Sequence, residues 1–408
     1  MTPSQTALDV PAPQRLPRVL GPALLTFYGL GVIIGAGIYV LVGTVIGTAG
    51  QAAPWAFLLA GLVAGLTGLS YAELSVRYPE AAGATAFVKE GFGSDRLSQL
   101  TGLILAAVVI GTTASIARGS IGYIEHYLGI SSPLIAGGIV LIFTGIACLG
   151  VRESVGLAAL MTVIEIGGLG VVVLAGWQIG GLQGLTALDP WPTGLGALAS
   201  GAFIAFFAFI GFENLANMAE EARQPQRSLP RAILFSLIIS AVLYAAVTVA
   251  LLVAVPLAQI SESSAPLLLV IRQSAWLSPD LFAAAALIAV LNGVLIQLVM
   301  LGRLLFGMAR RGWLPNQLAN LATRLKTPVR ATLAGGIITS ALTVAFPLAS
   351  LVSASSTITL LVFILVNLAL WQIKQRRSPT GAGFTVPKQL PLVAALANLC
   401  LILAQALA

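Results

Sequence analysis

Charge is scarce in this chain. Only 9% of its 408 residues are Asp, Glu, Lys or Arg, where soluble domains average about 25%. Histidine is nearly absent, with His126 alone, and the four aspartates Asp9, Asp95, Asp189 and Asp280 all lie outside the long apolar runs. That distribution disfavours a membrane-embedded aspartyl dyad, a Ser–His pair and a histidine metal site, each of which needs several such side chains at one depth. The phosphate-binding pattern GxxxxGK[ST] is missing, which removes a fused ATPase. The only cysteines, Cys148 and Cys400, sit in apolar surroundings and read as small buried side chains rather than a disulfide or metal framework. No metal, cofactor, catalytic residue or nucleic-acid partner is expected.

What remains is apolar: 58% of the residues are hydrophobic and the mean hydropathy is +0.98, as in a polytopic membrane protein. About 20 apolar residues suffice to cross the hydrocarbon. Eleven such segments are read at about 20–48, 54–76, 97–126, 133–150, 155–178, 194–220, 230–255, 279–311, 331–348, 350–373 and 390–407. The first 18 residues are polar and proline-rich, unlike a cleaved signal, and are expected to form a cytoplasmic tail. With the N-terminus inside, every Lys and Arg except Arg118 and Arg272 falls in an inner loop or at an inner helix end. The formal charge of +7 then reflects the positive-inside rule. Two stretches, 79–93 on the inside and 265–276 on the outside, are too polar to span and read as surface helices.

Two segments are built to break. In the first, "VIIGAGIY" (32–39) places Gly35, Ala36 and Gly37 mid-run; in the sixth, Gly211 interrupts "FFAFIGFENLANMAEE" (206–221) and is followed by Glu213 and Asn214. An unwound turn exposes N–H and C=O groups that hydrocarbon does not tolerate, so it must line an enclosed, wet cavity. An outer half-helix starting near Ile38 would aim amides and its positive dipole end at a carboxylate. The carbonyls of Val32 to Ile34 and of Phe207 to Ile210 would suit an ammonium. A ligand with both groups on one carbon is an α-amino acid. The alternative for the glycines of segment 1 is close helix packing. The breaks are five helices apart, and an odd number inverts the second unit relative to the first. Residues 19–178 and 194–373 are accordingly expected as inverted five-helix repeats, with 390–408 as an additional helix.

The stretches "GVIIGAGIYVLVG" (31–43), "YAELSVRYPEAAGATAFVKEGFG" (71–93), "FFAFIGFENLANMAEEARQPQRSLPRAI" (206–233) and "LGRLLFGMARRGWLP" (301–315) together resemble the amino acid–polyamine–organocation permeases, in particular bacterial members like the cationic amino acid transporters. The resemblance implies an all-α LeuT-type fold with broken helices 1 and 6, alternating access, and carriage of amino acids or related amines by proton coupling or exchange. It places the substrate among Ile33, Ile34, Gly35, Ala36, Gly37, Ile38, Phe206, Phe207 and Ile210, with Phe207 matching an aromatic gate. The side-chain end of the pocket should draw on Thr112 and Thr113, Asn292, and Ser353 with its neighbours Ser355, Ser356 and Thr357. A bare Phe207 reads equally as core, and the hydroxyls of 353–357 could instead satisfy backbone carbonyls.

Glu165 lies roughly 13 Å from the inner end of its segment at about 1.5 Å per residue. Proton-coupled relatives carry a lysine at the matching position. Three readings are open: a proton carrier, a ligand for an amine or cation, or a protonated structural residue. Glu213 reads as a proton-sensing or gating acid, or as a cap on the inner half-helix. Sodium coupling is disfavoured because 281–303 holds no Ser or Thr to ligate the ion. The expectation is a monomeric plasma-membrane permease for small or medium neutral amino acids, with polyamine or amino acid exchange and an amino-acid sensor as alternatives.

Overall fold

The computed structural model describes residues 20–79, 83–149, 155–189, 194–219, 222–275, 277–322, 327–376 and 383–407, apart from the side chains of Ala36 and 155–159. The tail 1–18, Arg152, Glu221, Trp276, Arg324 and Lys326 lie outside them.

The described chain is helical: α1 (Pro22–Ala49), α2 (Ala53–Arg77), α3 (Gly83–Phe92), α4 (Asp95–Gly119), α5 (Ile121–Leu128), α6 (Pro133–Cys148), α7 (Val155–Ala187), α8 (Leu195–Phe206), α9 (Asn214–Asn217), α10 (Pro225–Ala254), α11 (Leu257–Glu262), α12 (Pro266–Arg272), α13 (Pro279–Arg310), α14 (Val329–Ala345), α15 (Leu348–Arg376) and α16 (Leu390–Leu407). Several starts are written in the sequence. Ser94, Ser132 and Ser278 accept from the amides of Leu97, Leu134 and Leu281 at 3.2, 3.3 and 3.1 Å, and proline opens α1, α2, α6, α10, α12 and α13. Each satisfies or removes a donor that a helix start would leave unpaired. Among the described residues eight helical stretches are long and apolar enough to cross a membrane; Pro133–Cys148 and Val329–Ala345 are shorter apolar helices. The chain is thus a multi-pass membrane protein whose eleven expected segments each hold a helix, interrupted in the third by Ser120 and in the sixth after Phe206.

The long helices pack in two groups. α1 and α2 contact each other and both pack against α8 and α10, while α4, α6, α13 and α14 all contact one another; α7 leans on α10, α1 and α13, and α15 on α4, α3 and α16. α16 is tied in by a buried polar cluster, where Asn367 and Asn398 each donate to Thr67 Oγ1 at 3.0 and 2.8 Å. Interhelical polar contacts of this kind hold helices where the hydrophobic effect cannot, since lipid is as apolar as the core.

Helix ends carrying Arg77, Lys89, Arg303, Arg311 and Lys374 gather on one face, called here the basic face. There Glu73, fully buried, bonds Arg77 at 2.6 Å, Lys374 at 2.8 Å and the Val386 amide at 2.7 Å, joining α2, α15 and the approach to α16. On the opposite face His126 Nε2 lies 2.8 Å from Asp280 while Arg272 donates to Nδ1 at 3.1 Å. An acceptor at Nδ1 requires the neutral ring with its hydrogen on Nε2. This contact, with Tyr127 donating to the Asp280 carbonyl, pins α5, α12 and α13 together.

The expected break in the first segment is not there: α1 runs from Pro22 to Ala49 as one helix. Its glycines serve close packing. A Cβ on Gly31 would fall 2.2 Å from Thr162 Oγ1, on Gly37 2.4 Å from Ala208 Cα, and on Gly43 2.5 Å from the Pro266 ring. Their small size lets α7, the residues after α8, and α12 reach the α1 backbone, and with the helix intact the amides near Gly35 remain committed within it. The break in the sixth segment is present. α8 ends at Phe206, a 3-10 turn covers Phe207–Phe209, Ile210 is extended and Gly211 has φ 128°. Only glycine takes that φ readily, and a Cβ there would also lie 2.7 Å from Val32 Cγ1.

Candidate functional site

The break opens onto a cavity of about 650 Å³. One wall is α13, where Ile296, Gln297, Met300, Leu304, Met308 and Arg311 recur at helical spacing; facing it are Leu105, Val108, Val109 and Thr112 of α4. The break contributes Ile210, Glu213, Asn214, Asn217 and Met218, while Tyr28, Tyr71, Ala84 and Thr85 close the remaining side. Arg303, Arg311 and Trp313 stand at its end on the basic face.

The polar groups of this wall are few and mostly placed by their own helices. Thr112 donates to the Val108 carbonyl at 2.9 Å, and Gln297 Nε2 approaches Thr112 Oγ1 at 3.5 Å, linking α4 to α13. Glu213 Oε2 accepts from the Gly211 amide at 2.8 Å, so the carboxyl group caps a donor freed by the break and faces the cavity as well. The expected cap on the inner half-helix is not formed, because the start of α9 receives no side-chain hydrogen bond and the carboxylate serves the break instead. Tyr71 is fully buried, its ring edge-on to Phe87, Phe212 and Phe363, yet its hydroxyl has no hydrogen-bond partner among the described residues. A buried hydroxyl left unpaired in an apolar surrounding costs about 1–3 kcal/mol.

Of the sequence-based candidates, Thr112, Ile210 and Glu213 line the cavity. Ile33, Ile34, Ile38, Phe206 and Phe207 are buried in the core, at 4% exposure or less, and are not among its wall residues. Thr113 is also buried and donates to the Val109 carbonyl at 2.6 Å, and Asn292 and Ser353 are half-buried outside the wall. Thr357 and Thr359 donate to the carbonyls of Ser353 and Ser355, so these hydroxyls satisfy their own helix. The carbonyls expected to meet an ammonium are partly occupied: the Tyr244 hydroxyl sits 2.9 Å from Ile33 O and 3.0 Å from Ala208 O, bridging α1 and the break. Glu165 is 2% exposed and packs behind Gly35; its Oε2 has no partner among the described residues. It is sealed off from the cavity wall.

Sequence reasoning missed Tyr71, Asn214, Asn217, Gln297 and Arg303. Gln297 was within reach, because 297, 300, 304, 308 and 311 trace one stripe of a 3.6-residue helix that ends in an arginine. Tyr71 was not, since only the tertiary fold removes the partner of its hydroxyl.

A multi-pass helical bundle with a cavity reaching from a mid-helix break to one face is the architecture of a membrane carrier. The chain matches the amino acid permease family model over residues 20–408, and it belongs to that family. It is similar to the branched-chain amino acid permease of Bacillus subtilis, 29% identical with 95% of this chain and 88% of that protein covered. It is also similar to the methylthioribose transporter of the same organism, 28% identical with 91% and 84% covered. A vacuolar cationic amino acid transporter of Arabidopsis thaliana is 29% identical over 87% of this chain, which spans 59% of that longer protein. The chain is an amino acid transporter by family.

Proposed function

We propose that this chain is a secondary active permease that carries neutral amino acids by alternating access. The observation that carries the reading is the cavity itself: it begins where Gly211 breaks the sixth segment and ends at the basic face. Positive residues collect on the cytoplasmic side of membrane proteins, so the N-terminus is inside and this conformation is open inward, with the His126–Asp280 contact closing the outside. We assign the chain to the plasma membrane as a monomer.

The packing supports an inverted five-helix repeat. Segments one and two (α1, α2) group with six and seven (α8, α10), and three and four (α4, α6) with eight and nine (α13, α14). Each group takes the same two positions from each half, as inversion about an in-plane axis requires. The substrate end of the cavity is apolar, with Val108, Ile210, Ile296 and Met300, relieved by Thr112, Gln297 and Asn214. A medium-sized aliphatic side chain suits that wall, and the branched-chain substrate in the name of one relative is of that kind.

For coupling, Glu213 is the acid that water in the cavity reaches, while Glu165 behind Gly35 is reached only if α1 moves. Proton symport through Glu165 and Glu213 is our reading. Exchange of amino acids or polyamines is the second, favoured by the sealed position of Glu165.

The test is uptake of labelled amino acids and amines into proteoliposomes under an inward proton gradient, an inward sodium gradient, or internal unlabelled substrate. Accumulation with the proton gradient supports symport. Uptake only against internal substrate assigns exchange, and binding without uptake of any compound would turn the protein into a sensor.

A further inference from the structure

At the basic face a second, separate cavity of about 240 Å³ lies between the starts of α1 and α10. Its wall includes Arg223, Arg227 and Arg231 together with Gly21 and Gln224. A short parallel bridge from Leu20 to Ala222, with the Arg223 amide donating to Leu20 O at 2.9 Å, sets the two helix starts side by side. Gly21 and Gln224 give their helices no side-chain cap, and neither first turn carries an acid. The three arginine side chains are exposed, and among the described residues they make no ion pair or side-chain hydrogen bond.

The direction these arginines face identifies the ligand. Steps of four and seven residues keep Arg227, Arg231, Phe235, Ile238 and Val242 on one side of α10. Phe235, Ile238 and Val242 are 54%, 58% and 62% exposed on a membrane-spanning helix, so they meet acyl chains. The arginines stand where that lipid-facing stripe reaches the headgroup layer. Guanidinium groups bind phosphate oxygens in a bidentate way, and the N–H groups of two adjacent helix starts add donors and positive dipole ends.

We propose that this pocket binds a phosphate-bearing anion, and that the anion is the headgroup of an acidic phospholipid whose chains lie along Phe235, Ile238 and Val242. The site is independent of the transport cavity and its substrate. It fixes the start of α10 against the start of α1; deeper in the bundle the same two helices meet where the Tyr244 hydroxyl of α10 lies 2.9 Å from Ile33 O of α1.

The purified full-length chain would be placed in nanodiscs of phosphatidylcholine alone or with 30% phosphatidylglycerol, and thermal unfolding and lipid retention by native mass spectrometry measured. A third arm adds 10 mM phosphate to the phosphatidylcholine discs. The expected result is selective retention of phosphatidylglycerol, weakened roughly fivefold per arginine removed, in Arg223→Gln, Arg227→Gln and Arg231→Gln and their combination. Substitution of all three by lysine should keep part of it. The triple variant Arg310→Gln/Arg330→Gln/Lys388→Gln, which removes the same charge elsewhere on the basic face, should keep all of it. Equal protection by inorganic phosphate would assign the site to a soluble anion and overturn the lipid. Equal retention of the two lipids by the unsubstituted chain, or equal losses in both triple glutamine variants, would overturn the site.

Discussion

The carboxyl group of Glu165 and the bare Cα of Gly35 share one contact between α7 and α1: a Cβ at Gly35 would lie 3.3 Å from Oε1 and 3.5 Å from Oε2. Two positions along, Gly37 meets backbone instead, with its would-be Cβ 2.4 Å from Ala208 Cα and 2.5 Å from its Cβ. The two glycines are therefore expected to respond differently. Gly35→Ala asks only the tip of a side chain to give way and should fold with near-normal thermal stability. Gly37→Ala forces α1 away from the break and should lose about 1–3 kcal/mol, read as a lowered midpoint of unfolding in detergent. Equal effects of the two substitutions would contradict this packing.

Glu165→Gln keeps the shape of the side chain and removes its proton chemistry. If Glu165 carries the coupled proton, the variant should lose stimulation of uptake by an inward proton gradient and retain exchange against internal substrate. Retained stimulation would assign coupling to Glu213, the acid on the cavity wall.

Tyr244→Phe removes one hydroxyl that lies within 3.0 Å of two carbonyl groups, Ile33 O in α1 and Ala208 O at the break. Ile33 O still has a place in a helix, whereas Ala208 O follows the end of α8 in the 3-10 turn. Leaving a buried acceptor unpaired costs about 1–3 kcal/mol, so a fall in unfolding temperature is expected. An unchanged temperature would mean that water or ligand replaces the phenol.

Much of this architecture was legible in the sequence because hydropathy is a strong signal. The eleven long segments were visible as apolar runs, and Gly211 followed by Glu213 marked a break whose freed amide the acid then caps. Segment 1 misled for a physical reason. A row of glycines permits either an unwound turn or a close approach of helices, and the choice depends on what stands opposite. Thr162, Glu165, Ala208 and Pro266 stand opposite, 130 to 223 positions away in sequence from the glycines they meet, and no local pattern announces them. The cavity wall failed for a related reason: Tyr71 and Asn217 are polar residues in ordinary helical settings until α2, α3, α13 and the break come together.

Tyr71→Phe separates a ligand contact from a structural role. The hydroxyl is buried without a partner among the described residues, so its removal should leave thermal stability unchanged or slightly raised. If the hydroxyl meets a polar group of the bound substrate, KM should rise roughly fivefold, the value of one hydrogen bond of about 1 kcal/mol. A destabilised variant with unchanged KM would assign the phenol to packing.

Glu73 tests how the basic face is held. Its side chain has no exposure and neutralises Arg77 and Lys374, whose side chains are only 15% and 9% exposed, while it also accepts from the Val386 amide. Glu73→Gln would leave two half-dehydrated cations facing one another without their shared anion. Breaking such a group from one side costs about 3–5 kcal/mol, so the variant should unfold at markedly lower temperature. Lys374→Met in the same chain should restore part of the loss, because it removes one of the stranded charges and its Val386 carbonyl contact together. The order of stability expected is unsubstituted chain, then double variant, then Glu73→Gln alone. A double variant less stable than the single would show that Lys374 holds α15 through Val386 rather than through the carboxylate.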